Sequence, residues 1–414
     1  MKKLIPFIIL LALIPFGSFA QDSLTIEQLK PFTYTFDVVD GEIVGEAKAF
    51  FEQEMAKAQF TMLGEYHGSK RISEFTTAII PILDKMNYKT MALEVGPITG
   101  HQLHQMESPV TSKINQMHKQ YLTLDVDGDE NLAFPFFSIK EDAKFLDRAK
   151  QFSWNVFGID QEFYNAYVML SDLMFENLSE KQKNDYKILH SEVKEQLYEF
   201  YKNDDNDVEN FHVALSQSNT FKDFLKAMQQ VEENSPIIDA MHASSAIYLL
   251  YHHRKWYENN ATRIKYMKSQ LRQGLSNFGF DLSKDKLLIK MGSYHLGKGF
   301  SPLSLYEVGN TLNEIAAYHG NSALNIAFTS RFWENDNRVE DNLNSERQYF
   351  KNQRELLQMG QENQWVVIDL RQLIKGYFYH PKQYNFNPTI EKLVERYDLI
   401  VIPKTEVEGI PNYD

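Results

Sequence analysis

The sequence predicts an α/β fold: a mostly parallel sheet flanked by helices, with an inserted helical lobe. Seven short β-rich runs, 59–63, 90–95, 155–159, 286–291, 323–329, 365–370 and 399–402, each end in a polar or turn-forming break. Most are continuous apolar runs without strict alternation, the pattern of strands buried on both faces. Helical patterns separate them, and strand–helix–strand alternation implies a largely parallel sheet. The stretch 165–274 interrupts that alternation because it holds no good strand pattern.

Taken in order, the 414 residues divide into 1–20, 21–164, 165–274 and 275–414. Residues 1–20 read as a secretory signal peptide: Lys2 and Lys3, an apolar run 4–16, then Ser18-Phe19-Ala20, with cleavage expected after Ala20. No Cys follows the break, so a lipoprotein is not expected, and no later segment reaches about 18 uncharged apolar residues. A periplasmic or secreted protein without a membrane contact after signal removal is the expectation. The two core parts, 21–164 and 275–414, carry the strands. Between them the pattern 70–86 places Ile72, Phe75, Ile79, Ile82 and Leu83 at helical spacing, and 139–151 and 302–318 also read as helices.

The lobe, 165–274, should form a wall or lid. It reads as helices over 166–203 with a break at Ser179, an acidic loop over 204–210, and a helical stretch over 211–232. A long helix then starts with Ser235 as N-cap and Pro236 at the first position. Its aromatics Tyr167, Phe175, Tyr198, Phe200, Tyr201 and Phe211, with Tyr164 just before it, read first as helix-packing core.

Composition limits the chemistry. Lys+Arg 43 against Asp+Glu 56 gives a net charge of −13, which argues against a nucleic-acid partner. With no Cys, thiolate nucleophiles, disulfides and Cys-ligated metals are excluded. No Ser lies in a Gly-x-Ser-x-Gly elbow and no Gly-rich phosphate loop is present.

In an open parallel sheet, ligands sit beyond the carboxyl ends of the strands. Four strands end there in ionisable residues: Gly64-Glu65-Tyr66-His67-Gly68-Ser69, Glu94 after Leu93, Asp160 after Ile159, and Gly292-Ser293-Tyr294-His295. Glu65 and His67 are two apart, so in extended chain they point the same way. A carboxylate such as Glu94, behind an apolar run, needs a partner. His101 and His104 are three apart and read as a surface pair, and His252, His253 and Arg254 point in different directions. The run Asp204-Asp205-Asn206-Asp207 lacks the Gly and closing Glu of a calcium loop and reads as solvated.

Leu-Gly-Glu-Tyr-His-Gly (63–68), Ala-Leu-Glu-Val (92–95) and Gly-Ser-Tyr-His-Leu (292–296) resemble the superfamily of erythromycin esterases, Tiki and TraB proteases and ChaN-like haem-binding proteins. Arg263 with Met267 resembles that group's Arg-x-x-x-Met helix, and 367–371 and 397–402 look most like the esterase branch. The resemblance implies a hydrolase of an ester or amide, acting on a small-molecule or peptide substrate. His67 or His295 would be the base on a water, Glu65 or Glu94 would orient it, and Arg263 with the other His would stabilise the oxyanion. Asp160, Tyr66 and Tyr294 would contact substrate. The cofactor is left open: His67, His295 and Glu94 would also suit a divalent metal ion. The alternative is a non-catalytic haem- or metal-binding protein of the ChaN-like type. Oligomeric state is not legible.

Overall fold

The computed structural model describes residues 24–124, 130–335, 338–380, 384 and 386–413. The segment expected to be a signal peptide, 1–20, lies outside them. Nine strands form one sheet: β1 (Thr33–Val39), β2 (Glu42–Val44), β3 (Ala58–Glu65), β4 (Tyr88–Leu93), β5 (Asn155–Gly158), β6 (Lys286–Gly292), β7 (Ser322–Phe328), β8 (Trp365–Asp369) and β9 (Leu399–Ile402). Their order is β2-β1-β8-β9-β7-β3-β6-β4-β5. The six strands from β9 to β5 in that order pair in parallel, while β8, β1 and β2 add antiparallel pairings at one side. All seven expected strands are present, and β3 is buried over its whole length.

Successive residues of the central strands serve opposite layers. Leu63 and Leu288 pack with Ile72, Phe75 and Phe145 on one face. Met62 and Ile289 pack with Ile264, Met267 and Leu312 on the other. The first layer is the helices Lys70–Asp84 and Lys140–Gln151, and the second is Trp256–Asn277 and Val308–Tyr318. Burial of this kind stabilises by roughly 25 cal/mol per Å² of apolar surface.

Several boundaries differ from expectation. The helix expected over 302–318 begins only at Val308, because 301–307 folds into turns fixed by Ser301 and Glu307. The expected acidic loop 204–210 begins later, since the helix Glu180–Asp205 runs through its first two residues and Asp204 accepts from the Phe211 N–H at 3.1 Å. Ser179 caps that helix in a capping box with Gln182, as expected. Ser235 is not an N-cap: it is the first residue of the helix Ser235–His252, and Asn234 precedes it without a side-chain cap. The strands β1 and β2 at one side of the sheet and the hairpin Phe332–Asn335/Arg338–Asp341 were not expected. From Tyr167 to Asn277 the described elements are all helical. No helix among the described residues is long and apolar enough to cross a membrane.

One close approach positions the site. A Cβ on Gly158 would lie 2.1 Å from the Gly96 carbonyl oxygen and 2.4 Å from that of Val95. Only glycine lets the end of β5 press against the chain leaving β4, where the Asp160 N–H donates to the Val95 carbonyl at 2.9 Å. Gly158→Ala is expected to destabilise the protein by about 1–3 kcal/mol through overpacking, read as a lower urea midpoint.

Candidate active site

The strand register brings the four polar endings to one edge. Glu65 lies opposite Gly292 between β3 and β6, Leu93 opposite Lys290 between β4 and β6, and Leu93 opposite Gly158 between β4 and β5. Glu94 therefore emerges beside Gly292, whose N–H it accepts at 2.5 Å.

Glu94 is the hub. One carboxylate oxygen lies 3.8 Å from His67 Nε2; the other is 3.1 Å from Arg263 Nη2 and 3.5 Å from His295 Nε2. Arg263 reaches Glu94 from the helix Trp256–Asn277 and binds Asp160 through Nε at 2.9 Å and Nη2 at 2.5 Å. Burial works against the guanidinium charge, but Asp160 and Glu94 outweigh it and hold Arg263 firmly protonated. His295 is fixed from behind by Glu307, whose carboxylate lies 3.0 Å from Nδ1 and also accepts the Ser301 hydroxyl at 2.9 Å.

Glu65 is buried against Lys290. Its other oxygen is 3.4 Å from His67 Nδ1. Burial pushes the Glu65 carboxyl up, but the Lys290 charge and the hydrogen bond from His67 prevail and leave it below the usual carboxylate range. For His67, burial pushes down while the Glu65 hydrogen bond and the Glu94 charge push up, and the upward causes win. The His67 side chain is 39% exposed against 7% for His295, so solvent weakens these pulls on His67. Its ring stacks on Phe136 with centroids 4.0 Å apart.

Beside this cluster lies a cavity of about 490 Å³. Glu94, Asp160, Arg263 and Phe136 meet there with Tyr164 and with His212, Tyr248 and Asn259 from the helical segment. Tyr167, Tyr201 and Phe211 are buried core, as expected of the lobe aromatics, whereas Tyr164 faces the cavity.

The structure thus gathers Glu65, His67, Glu94, Asp160, Arg263 and His295. It does not bring Tyr66 or Tyr294 to them. The Tyr66 hydroxyl donates to Glu406 at 2.8 Å, beside Ser69, which donates to the same oxygen at 2.7 Å. Tyr294 is 53% exposed and is not part of the cavity wall. Its side chain points away because the short helix Ser293–Leu296 turns His295 inward. The metal set His67, His295 and Glu94 does not fit a metal centre in this arrangement: among the described residues no group of three or more His, Asp or Glu is poised to hold an ion. Arg263 instead supplies the positive charge between Glu94 and Asp160.

Sequence reasoning missed Lys290, Glu307 and Phe136. Lys290 carried a signal: it is a charge inside an apolar strand, two residues beyond Leu288, just as Glu65 is two beyond Leu63, so both face the same layer. Glu307 and Phe136 sit in turns whose paths no periodicity marks.

No protein-family model matches the sequence, and no curated protein does. Among solved structures, a protein from Bacillus cereus superposes with a TM-score of 0.52 at 14% identity, over 92% of this chain and 97% of the other. A mutant of erythromycin esterase EreC in its open conformation gives 0.52 at 12% identity, over 91% and 98%. A succinoglycan biosynthesis protein gives 0.51 at 13%, over 92% and 97%. At such identities the likeness is one of fold, and it agrees with the motifs at 63–68, 92–95 and 292–296: this chain has the α/β fold of erythromycin esterase EreC.

Proposed function

We propose that this protein hydrolyses an ester or amide of a small-molecule or peptide substrate, with water activated by His67. The observation that carries the reading is the position of His67: the more exposed of the two imidazoles, held between two buried carboxylates and stacked on a residue of the cavity wall. Neutral His67 takes the proton of an attacking water. The hydroxide adds to the substrate carbonyl, and the oxyanion develops toward Arg263 and His295. The intermediate then collapses, and the imidazolium returns the proton to the leaving alkoxide or amine. Glu65 and Glu94 raise the basicity of His67 and hold its ring, while Glu307 fixes His295. Secretion through a cleaved segment 1–20 belongs to the same proposal; the mature N-terminus of exported protein is expected at Gln21.

The test is a pH profile of kcat/KM on a panel of nitrophenyl esters and anilides. A rising limb is expected with its midpoint above the ordinary histidine value of about 6.5, because the base must be neutral and its pKa is raised. Glu94→Gln should move that limb to lower pH. A limb that Glu94→Gln leaves in place would defeat the role given to the carboxylates. Absence of hydrolysis across the panel, with tight binding of hemin, would replace the proposal by the haem-binding reading.

A further inference from the structure

We propose that a second cavity on the same sheet edge is a subsite for a neutral sugar unit. As a statement about substrate this rests on the hydrolase reading; as a binding site it stands alone. The strand order β7-β3-β6-β4-β5 puts β3, which leads into His67, between two regions. The first cavity lies over β4 and β5 with Glu94 and Asp160. The other, of about 520 Å³, lies beyond β7 at Thr329 and Ser330 and has Tyr66 in its wall. Its volume falls within the ~300–1,000 Å³ of small-molecule sites.

Its lining is mixed in a particular way. Trp333, Tyr349 and Phe350 supply aromatic surface, and Tyr349 is 54% exposed with its ring 5.1 Å from that of Phe350. Asn342 and Arg347 add planar hydrogen-bonding groups. A pyranose presents both complements: a C–H face that packs on an aromatic ring and a rim of hydroxyls that pair with amides and guanidinium. Arg347 is offset by Glu340 in the same wall, so the lining has no net charge and suits a neutral ligand. The first cavity differs, with Glu94, Asp160 and Asp204 against Arg263.

The second cavity is also tied to the catalytic loop. The Glu334 N–H donates to the Glu406 carbonyl and the Glu406 N–H to the Phe332 carbonyl, both at 2.8 Å. The Glu406 carboxylate in turn takes the hydroxyls of Tyr66 and Ser69. The hairpin bearing Trp333 and the loop bearing His67 are therefore braced by one residue, which fits a substrate that spans both cavities.

Isothermal titration calorimetry of the full chain with cellobiose, maltose and N,N′-diacetylchitobiose tests this. Saturable binding of at least one is expected, weakened about tenfold or more by Trp333→Leu and by Tyr349→Ala, with hydrolysis of a small nitrophenyl ester unchanged. Tyr349→Ala, at an exposed position, serves if Trp333→Leu does not fold. No saturable binding of any of the three, or binding that both variants leave intact, would overturn the subsite. Sugar binding without hydrolysis of any ester or amide would instead overturn the hydrolase reading and leave the subsite standing.

Discussion

His67→Ala is expected to lower kcat/KM for ester hydrolysis by about 10²–10⁴-fold, the range a positioned general base supplies, while the protein stays folded. The ring is 39% exposed, so its loss opens little internal space. His295→Ala should be equally inactive but less stable, because His295 is buried and its removal leaves the fully buried Glu307 without its imidazole partner. The two variants therefore separate in urea even where they agree in rate. The pH dependence has a definite sign. The raised pKa of His67 contributes stability that is fully present below the unfolded histidine value of about 6.5 and is lost as pH rises through the folded value. The stability gap between wild type and His67→Ala should thus be larger at pH 5 than at pH 9. Near-wild-type turnover by His67→Ala would end the proposal.

How much of this was legible depended on what each residue's neighbours in sequence reveal. The parallel strands β3, β4, β5 and β6 were readable because burial on both faces demands unbroken apolar runs, and their ends were readable because Glu65, Glu94 and Asp160 stop those runs. The strand β1 was not, since its half-buried pattern of Thr, Tyr and Asp resembles a loop until Trp365 of β8 pairs with Phe36. In the site, Glu65, His67, Glu94, Asp160 and His295 meet across two hundred and thirty positions because the parallel register aligns the strand ends they follow, and Arg263 reaches them from the helix Trp256–Asn277. The surroundings of Tyr66 were illegible for a related reason. Alternation in an extended chain sends it away from Glu65 and His67 to the wall of the second cavity, where its hydroxyl donates to Glu406, a residue 340 positions distant that no local pattern points to.

Lys290→Met is expected to destabilise the protein by about 3–5 kcal/mol at neutral pH, the effect of breaking a buried ion pair from one side. Lys290 and Glu65 are 4% and 5% exposed, and the Lys290 ammonium also lies 5.1 Å from the centre of the Phe145 ring. Methionine fills much the same space, so the loss falls on the uncompensated carboxylate. Asp142 adds to it: burial already pushes that carboxyl up to about 7, with Lys290 holding it down. In wild type the depressed Glu65 pKa contributes stability that is present above the unfolded value of about 4.3 and lost as pH falls through the folded value. Without Lys290, burial governs both carboxyls, their folded pKa values rise, and stability is instead lost as pH climbs above the unfolded values. The urea midpoints of wild type and Lys290→Met should therefore converge near pH 4 and separate most at pH 7 and above. Adding Glu65→Gln to Lys290→Met should recover part of the loss, since the second charge is then gone as well. A gap that stays constant from pH 4 to pH 8 would mean that Lys290 contributes packing alone.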